Sequence, residues 1–285
     1  MGKVLTIMNM KGGVGKTTVS IHLAGILCKS SLAKRVLAID YDPQFNLSQA
    51  FLPSREYFVL ERARKTTLAI LIDDDTRLDP YDIQVPWNHN PPKLADIVTR
   101  VYKSTKSGLD IIPSTLDMMY LALGQSEVKT KPMEERFAKF IDECRPLYDL
   151  ILIDCHPAGS LFTKTSLRNS DDVLIPVVPD SPYAVRGVGL MMNFTNAKKA
   201  GSKSPKPHVL LNMTPRHGIA PNESRIRSSP EVSGICMNSS LKWYKAFSEP
   251  QEGKGFVWDS GKPYSGQAYV NLLTVAREVV SRVGV

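Results

Sequence analysis

Two lysines, three glycines and two threonines stand close together near the start of the chain, and these residue types suit phosphate chemistry. The stretch Met10 to Thr18 reads Met-Lys-Gly-Gly-Val-Gly-Lys-Thr-Thr. It follows the apolar run Val4 to Met8 and precedes the helix-like run Val19 to Cys28. A strand that enters a helix through a glycine-rich turn presents free backbone N–H groups at the positive end of the helix dipole. The stretch therefore predicts a site for the phosphates of ATP or GTP.

The ordinary P-loop pattern places a glycine six residues before the lysine, where this chain has Met10. The other positions keep their roles: the glycines admit the phosphates, Lys16 reaches the β- and γ-phosphates, and the Thr17 hydroxyl binds Mg²⁺. We expect the nucleotide to be held by Gly12, Gly13, Val14, Gly15, Lys16, Thr17 and Thr18. A glycine-rich turn with two solvated lysines is the competing interpretation.

A second lysine, Lys11, opens the loop in Lys-Gly-Gly-Val-Gly-Lys-Thr-Thr. This motif resembles the deviant Walker A motif of the ParA/MinD family of ATPases. The resemblance implies a catalytic role for both lysines: Lys16 acts on its own subunit's nucleotide. Lys11 would cross a dimer interface to the phosphates held by the other subunit.

Two aspartates follow the next apolar run. Arg35 to Asp40 has the pattern of a buried parallel strand, and Asp42 comes two residues later. Ligands of doubly wound sheets bind beyond the carboxyl ends of the strands, so both carboxylates should face the nucleotide. The stretch Asp-Tyr-Asp-Pro-Gln resembles the family's switch I, which implies that Asp42 orients the attacking water and Asp40 supports the Mg²⁺ and phosphate region. A turn with helix-capping aspartates is the alternative.

A third carboxylate ends the apolar run from Tyr148 to Asp154. This is the Walker B arrangement, in which a central strand delivers a carboxylate to the Mg²⁺ shell, so we assign Asp154 to the metal. The family has proline where this chain has His156, while Pro157 keeps the turn. His156 either senses the γ-phosphate or fills space.

Two further strand ends concern the base of the nucleotide. Asp172 to Val178 and His208 to Met213 read as strands, and Pro179 and Asn212 lie at their ends. Residues at these places flank the adenine in the family, which implies base contacts for both. A simple turn-forming role for the asparagine is the alternative.

The remaining segments predict the elements between these motifs. Leu109 to Ser114 reads as a strand, with helices through Leu121 and from Met133 to Cys144. Residues 52–108 are read as short helices and loops, with helical periodicity in Thr67 to Ile72 and in Leu94 to Tyr102. Together the elements predict a doubly wound, mainly parallel α/β sheet of the P-loop kind, with residues 1–285 as a single ATPase domain.

The composition fits a globular protein with a full core. Of 285 residues 42% are hydrophobic and 22% are charged, and no apolar run approaches the ~20 residues of a membrane span. The four cysteines are far apart and no secretory signal precedes the first strand, which predicts reduced thiols and a cytoplasmic location.

Positive charge is concentrated in the last third of the chain. Between residues 186 and 245 ten lysines and arginines face two glutamates, an excess equal to the formal charge of +8 of the whole chain. This asymmetry favours a face that binds a polyanion. We select Arg216, Arg225 and Arg227 as loop residues of a DNA-binding face, and Lys242 and Lys245 as residues at a helix start.

The resemblance implies a ParA-type ATPase that uses ATP and Mg²⁺, closes into a homodimer on ATP and binds DNA without regard to sequence. It would work on the nucleoid in partition or cargo positioning, with hydrolysis stimulated by a ParB-like protein or a cargo adaptor. No helix-turn-helix precedes the first strand, so operator binding is not expected. One rival is a MinD-like membrane switch anchored by the helix Ala268 to Val283, for which core packing is the simpler interpretation. Another is an electron-transfer ATPase like the nitrogenase iron protein, for which Cys155 lacks a second ligand.

Overall fold

The apolar runs of the sequence form the strands of one sheet. The computed structural model describes residues 1–29, 32–73, 78–79, 85–123, 127–155, 161–180, 184–196, 204–248 and 250–285. Within these ranges the strands are β1 (Lys3–Ile7), β2 (Arg35–Tyr41), β3 (Thr99–Lys103), β4 (Gly108–Ile112), β5 (Leu150–Cys155), β6 (Asp172–Val177), β7 (Lys206–Thr214) and β8 (Leu241–Lys242). They lie in the order β3-β4-β2-β5-β1-β6-β7-β8. All neighbouring pairs are parallel except β3 and β4.

Helices connect these strands and cover the sheet. In the described part of the chain they are α1 (Lys16–Cys28), α2 (Asn46–Phe51), α3 (Ser54–Arg62), α4 (Thr67–Leu71), α5 (Leu94–Ile97), α6 (Met118–Leu123), α7 (Glu127–Cys144), α8 (Leu161–Asn169), α9 (Ala184–Asn196), α10 (Glu223–Ser228) and α11 (Ser265–Val283), with a 3₁₀ turn at Lys245–Ser248.

The sheet is buried on both faces. Every residue of β5 is buried, as its continuous apolar sequence predicts for a central parallel strand. Ile151 and Ile153 point into one core layer with α7 and α8, while Leu150 and Leu152 point into the other with α1 and α11. This is the doubly wound α/β architecture that the sequence predicts.

The register brings the carboxyl ends of the central strands level. Asp154 of β5 is opposite Asp40 of β2 on one side and Ile7 of β1 on the other. The glycine-rich loop leaves β1 immediately after Ile7. The loop and both carboxylates therefore meet at one edge of the sheet.

One predicted element is wrong. Leu94 to Tyr102 was expected to be helical, but the helix α5 ends at Ile97 and Thr99–Lys103 forms β3. The segment contains β-branched and aromatic residues, and pairing with β4 satisfies its backbone as a strand. The other strands and helices for which the sequence predicts bounds are present, with α1, α7 and α11 beginning earlier than expected.

Candidate nucleotide site

The glycine-rich loop has a backbone that only glycine adopts easily. Gly13 and Gly15 have φ of 74° and 81°. A Cβ at Gly15 would also lie 2.5 Å from the side-chain nitrogen of Asn212. Gly15 directly precedes α1, so the first amides of that helix face the space enclosed by the loop. Backbone conformation and close packing thus both require glycine at this position.

The side chains of two asparagines join the loop to β6 and β7. The side-chain nitrogen of Asn9 donates to the carbonyl of Pro176 (2.7 Å), and its oxygen accepts the amide of Lys11 (3.0 Å). The side-chain nitrogen of Asn212 donates to the carbonyl of Val14 (2.8 Å). Sequence reasoning missed Asn9, although a polar residue just after an apolar strand was a usable signal.

The two lysines of the loop have different surroundings. Lys16 is buried, its ammonium donates to the carbonyl of Lys11 (3.3 Å), and burial lowers its pKa while Asp154 and Asp42 oppose this. The Lys11 side chain is exposed and lies 3.6 Å from Asp180. Lys16 is therefore placed inside the loop, and Lys11 projects away from it.

Asp154 is a buried carboxylate with one uncommitted oxygen. Its Oδ1 accepts the Ser20 hydroxyl (2.7 Å), whereas its Oδ2 has no hydrogen-bond partner in the described part of the chain. Burial raises the pKa of Asp154 to about 6, and the Ser20 and Thr17 hydroxyls act in the opposite direction. A bound cation would satisfy the free oxygen and favour the charged carboxylate, so the site fits Mg²⁺.

The ligands for such an ion would not be carboxylates alone. Among the described residues there is no group of three His, Cys, Asp or Glu side chains suited to a metal. Thr17 is the second residue of α1 and supplies a hydroxyl near the Asp154 carboxylate. Phosphate oxygens and water would complete the shell, as is usual for Mg²⁺.

Asp40 and Asp42 accept hydrogen bonds from α2 and from the connection between β2 and α2. Asp40 is completely buried and its Oδ2 accepts both the amide (2.8 Å) and the hydroxyl (2.6 Å) of Ser48. Burial raises the pKa of Asp40 well above its usual value. Asp42 is partly exposed, and its Oδ1 accepts the amide of Gln44 (2.9 Å). Asp40 thus joins the end of β2 to α2, while Asp42 is partly exposed at the sheet edge that carries the glycine-rich loop.

The residues assigned to the adenine lie near the loop. Pro179 is buried just beyond the end of β6. Asn212 is buried on β7 with its amide nitrogen committed to Val14. Its observed contact is therefore with the phosphate loop. His156 and Pro157 lie outside the described residues.

The five candidate DNA-binding residues fall into two groups. Arg225 and Arg227 are on α10 and Lys242 is in β8, so the loop and helix-start positions were wrong for these three. Lys245 begins the 3₁₀ turn. Arg225 and Lys245 are exposed and form no ion pair with a described residue.

The other three are engaged within the chain. Arg227 pairs with Glu223 (2.9 Å) and donates to the carbonyl of Met237 (2.6 Å). The Arg216 guanidinium lies over the ring of Tyr264, 4.6 Å from its centre, and the carbonyl of Arg216 accepts the ammonium of Lys242 (3.0 Å). These contacts hold the side chains against the protein.

Helices long and apolar enough to span a membrane are absent from the described residues. The apolar face of α11 is buried: Leu272, Ala276, Val279 and Val283 belong to the core. The prediction that this helix packs in the core is confirmed. All four cysteines are buried and form no disulfide in the described part of the chain, and burial raises the pKa of Cys155 to about 12.

A parallel sheet that carries such a loop between its first strand and helix, with a buried carboxylate on the adjacent strand, defines the class of P-loop nucleotide-binding proteins. The family model described as "AAA domain" matches residues 2–205. The Bacillus subtilis (strain 168) sporulation initiation inhibitor protein Soj is 34% identical over 196 residues, which are 68% of this chain and 64% of Soj. The Caulobacter vibrioides chromosome partitioning protein ParA is 28% identical and covers 98% of this chain and 94% of its own.

The fold agrees with these relatives. The structure of pNOB8 ParA bound to nonspecific DNA superposes with a TM-score of 0.66 at 25% identity, and the match covers 100% of this chain and 99% of that one. This chain belongs to the ParA/MinD family of P-loop ATPases.

Proposed function

We propose that this protein is a ParA-type ATPase that hydrolyses ATP with Mg²⁺, closes into a homodimer on ATP and binds DNA without sequence preference. A single domain, residues 1–285, would carry all three activities. The proposed cellular role is partition of plasmids or chromosomes, or positioning of other cargo, on the nucleoid in the cytoplasm. A ParB-like protein or a cargo adaptor would stimulate hydrolysis.

The observation that carries the proposal is the difference between the two loop lysines. Lys16 lies inside the loop and can neutralise the phosphates of its own nucleotide. Lys11 is exposed, and its one ion pair among the described residues is with Asp180, itself exposed. An exposed pair of this kind contributes only ~0–1 kcal/mol and is easily exchanged for a phosphate. Lys11 is thus free to serve a nucleotide held by a second subunit.

The proposed chemistry distributes roles among the residues of this edge. The loop amides and Lys16 bind and orient the phosphates, and Thr17 and Asp154 would hold Mg²⁺, which neutralises phosphate charge when bound. Asp40 would support this region through its bonds to Ser48. Asp42, partly exposed at the same edge, would orient the water that attacks the γ-phosphate. Pro179 and Asn212 would border the base.

The DNA-binding part of the proposal draws on charge and on a relative. A related ParA is known in a complex with nonspecific DNA. In this chain Arg225 and Lys245 are the exposed, unpaired members of the proposed face among the described residues, and Arg216, Arg227 and Lys242 would contribute if their internal contacts were exchanged for phosphates. A dimer would place two such faces on one duplex and double the contacts.

The MinD-like membrane switch is the alternative. Its anchor would be α11, but the apolar face of that helix is packed against α1 and the core. Withdrawing it would expose several buried aliphatic side chains, each costing about 1.5–3 kcal/mol. The structure therefore supports DNA over lipid as the surface.

The test combines solution mass with DNA binding. We expect a monomer without nucleotide, a dimer with ATP, and DNA binding with ATP but not with ADP. With ~4 phosphates neutralised, affinity should fall roughly a hundredfold between about 50 and 200 mM salt, equally for unrelated sequences. The control is Lys16→Ala, which should neither bind ATP nor dimerise. A protein that remains monomeric with ATP and binds DNA equally in all nucleotide states would refute the proposal, and ATP-dependent co-sedimentation with anionic vesicles would favour the alternative.

A further inference from the structure

A groove at the amino ends of β2 and β4 lies far from the candidate nucleotide site. It encloses about 550 Å³ between α5, the β3–β4 hairpin and the end of α7. Arg35 and Gly108, the first residues of β2 and β4, line it. The nucleotide site lies at the opposite ends of these parallel strands, about 20 Å away for a strand of this length. We call this feature the edge groove.

Two arginines of the edge groove are already neutralised. Arg100 pairs with Asp110, which also accepts the hydroxyl of Tyr148 (2.7 Å). Arg35 pairs with Asp149 (2.8 Å). These four charged groups therefore cancel one another and leave little net attraction for a ligand.

Three lysines of the edge groove remain uncompensated. Lys93, Lys103 and Lys106 line it, are exposed, and form no ion pair with a described residue. Glu143, the other carboxylate of the lining, accepts the amide of Leu94 (3.2 Å). The edge groove therefore has an excess of positive charge.

The floor between these lysines is apolar. Leu147 is 50% exposed, Val98 is partly buried, and Leu94 is buried beneath them. The hairpin that carries Lys106 is closed by a hydrogen bond between the amide of Ser104 and the carbonyl of Ser107 (2.9 Å). Positive charge is thus held at the rim of a formed apolar depression.

The backbone beside the edge groove also offers hydrogen bonds. Among the described residues, β3 is the outermost strand at this side of the sheet and β4 is its one pairing partner. Its free edge can accept an additional extended strand, a mode of peptide recognition in which backbone bonds give affinity and side-chain pockets give specificity.

We propose that the edge groove is a docking site for an extended, acidic segment of a partner protein that carries aliphatic side chains. The carboxylates would face Lys93, Lys103 and Lys106, and an aliphatic residue would cover Leu147. A DNA backbone would satisfy the lysines but not the apolar floor. The proposal goes beyond the ATPase cycle and does not rest on it, because the edge groove and the nucleotide site occupy opposite ends of the strands.

The test uses a short fluorescein-labelled peptide of alternating glutamate and leucine and measures its anisotropy with the full chain. We expect saturable binding that weakens with salt, and much weaker binding of peptides with serine for leucine or lysine for glutamate. Lys103→Glu/Lys106→Glu should weaken binding at least about tenfold, and Leu147→Ser several-fold. Lys131→Glu/Lys254→Glu, which changes exposed lysines outside the edge groove, should bind as the wild type. All variants should bind Mg-ATP normally, which shows that they are folded.

Three results would overturn the proposal. One is no binding of the peptide by the wild type up to about 1 mM. Another is equal binding by the Lys103→Glu/Lys106→Glu variant and the wild type. The third is displacement of the peptide by duplex DNA together with loss of DNA binding in that variant, which would assign the edge groove to nucleic acid.

Discussion

The side-chain amide of Asn212 donates a 2.8 Å hydrogen bond to the carbonyl of Val14 and so joins β7 to the glycine-rich loop. The same nitrogen is the atom that a Cβ at Gly15 would meet at 2.5 Å. The loop conformation thus depends on a residue about 200 positions later in the sequence.

Asn212→Ala should weaken Mg-ADP binding about tenfold, because a buried carbonyl loses its donor and the loop loses its support. Gly15→Ala should be worse, since it adds a clash to a φ of 81°. The Gly15→Ala/Asn212→Ala double variant lacks the clash but keeps an alanine at a φ of 81°, so it should still bind Mg-ADP more weakly than the wild type. Titration calorimetry measures all three, and Asn271→Ala, which removes a similar bond to Ser240 elsewhere, is the control. Unchanged affinity in Asn212→Ala would contradict the role of this bond.

Lys11→Ala should keep ATP binding within a few-fold of the wild type and lose ATP-dependent dimerisation. The physical reason is that its ammonium lies outside the loop, whereas that of Lys16 lies inside. Light scattering with ATP measures the mass. Asp180→Asn breaks the same exposed ion pair from the other side and should still dimerise, because an exposed pair contributes little. Normal dimers of Lys11→Ala would show that the lysine does not act across an interface.

Asp42→Asn should bind ATP and remain a dimer while stimulated turnover falls roughly a hundredfold or more. A group that orients water is needed in the transition state and not in the bound state. Asparagine keeps the oxygen that accepts the Gln44 amide, so the turn is preserved and only the charge is removed. Phosphate release under single-turnover conditions is the measurement. A rate near that of the wild type would exclude Asp42 from this role.

The sequence correctly predicted that the glycine-rich loop, Asp40 and Asp154 meet at one edge of the sheet, because the signals for this arrangement are local. A strand, a glycine-rich turn and a helix follow one another directly, and Asp40 and Asp154 each end an apolar run. The parallel register then brings them together without further information. Asn9 and the partner of Asn212 were not predicted, because side-chain bonds to a distant backbone leave no periodic pattern.

The structure of residues 52–108 could not be predicted in full for the same reason: it depends on hydrogen bonds from a side chain that is distant in the sequence. Arg136, on α7, is buried and donates to the carbonyls of Ala69 (2.9 Å) and Ile70 (3.0 Å) at the end of α4. It also pairs with Asp73 (3.1 Å). One arginine from a later helix thus organises a segment whose own sequence lacks long apolar runs.

His22 should make folding stability sensitive to acid. Its Nε2 lies 3.1 Å from the carbonyl of Phe247, its Nδ1 has no hydrogen-bond partner in the described chain, and burial lowers its pKa to about 4. Because the unfolded histidine has the higher pKa, near 6.5, its contribution is complete above that pH and is lost as the pH falls toward 4. The loss at pH 5 should be about 2 kcal/mol.

Urea unfolding of wild type and His22→Gln between pH 7.5 and 4.5 measures this effect. The variant should have a flatter pH dependence, because glutamine can donate to Phe247 but does not titrate. His217→Gln, at an exposed position, should follow the wild type. Parallel curves for wild type and His22→Gln would contradict the assignment.

The exposed residues Arg225 and Lys245 should affect DNA binding differently from Arg227, whose side chain is held by contacts within the chain. Arg225→Ala and Lys245→Ala remove unpaired charges, so each should weaken ATP-dependent DNA binding and reduce the slope of log affinity against log salt by about two, one phosphate for each subunit of the dimer. The free energy of unfolding should be unchanged.

Arg227→Ala breaks the contacts with Glu223 and Met237, and it should lower stability by about 1 kcal/mol or more. If the Arg227 guanidinium of the wild type keeps these contacts when DNA is bound, it binds no phosphate, and Arg227→Ala should leave the salt slope near that of the wild type. Salt titrations by fluorescence anisotropy, with urea unfolding in parallel, separate the two effects. Equal slopes for all three variants and the wild type would place the DNA face elsewhere.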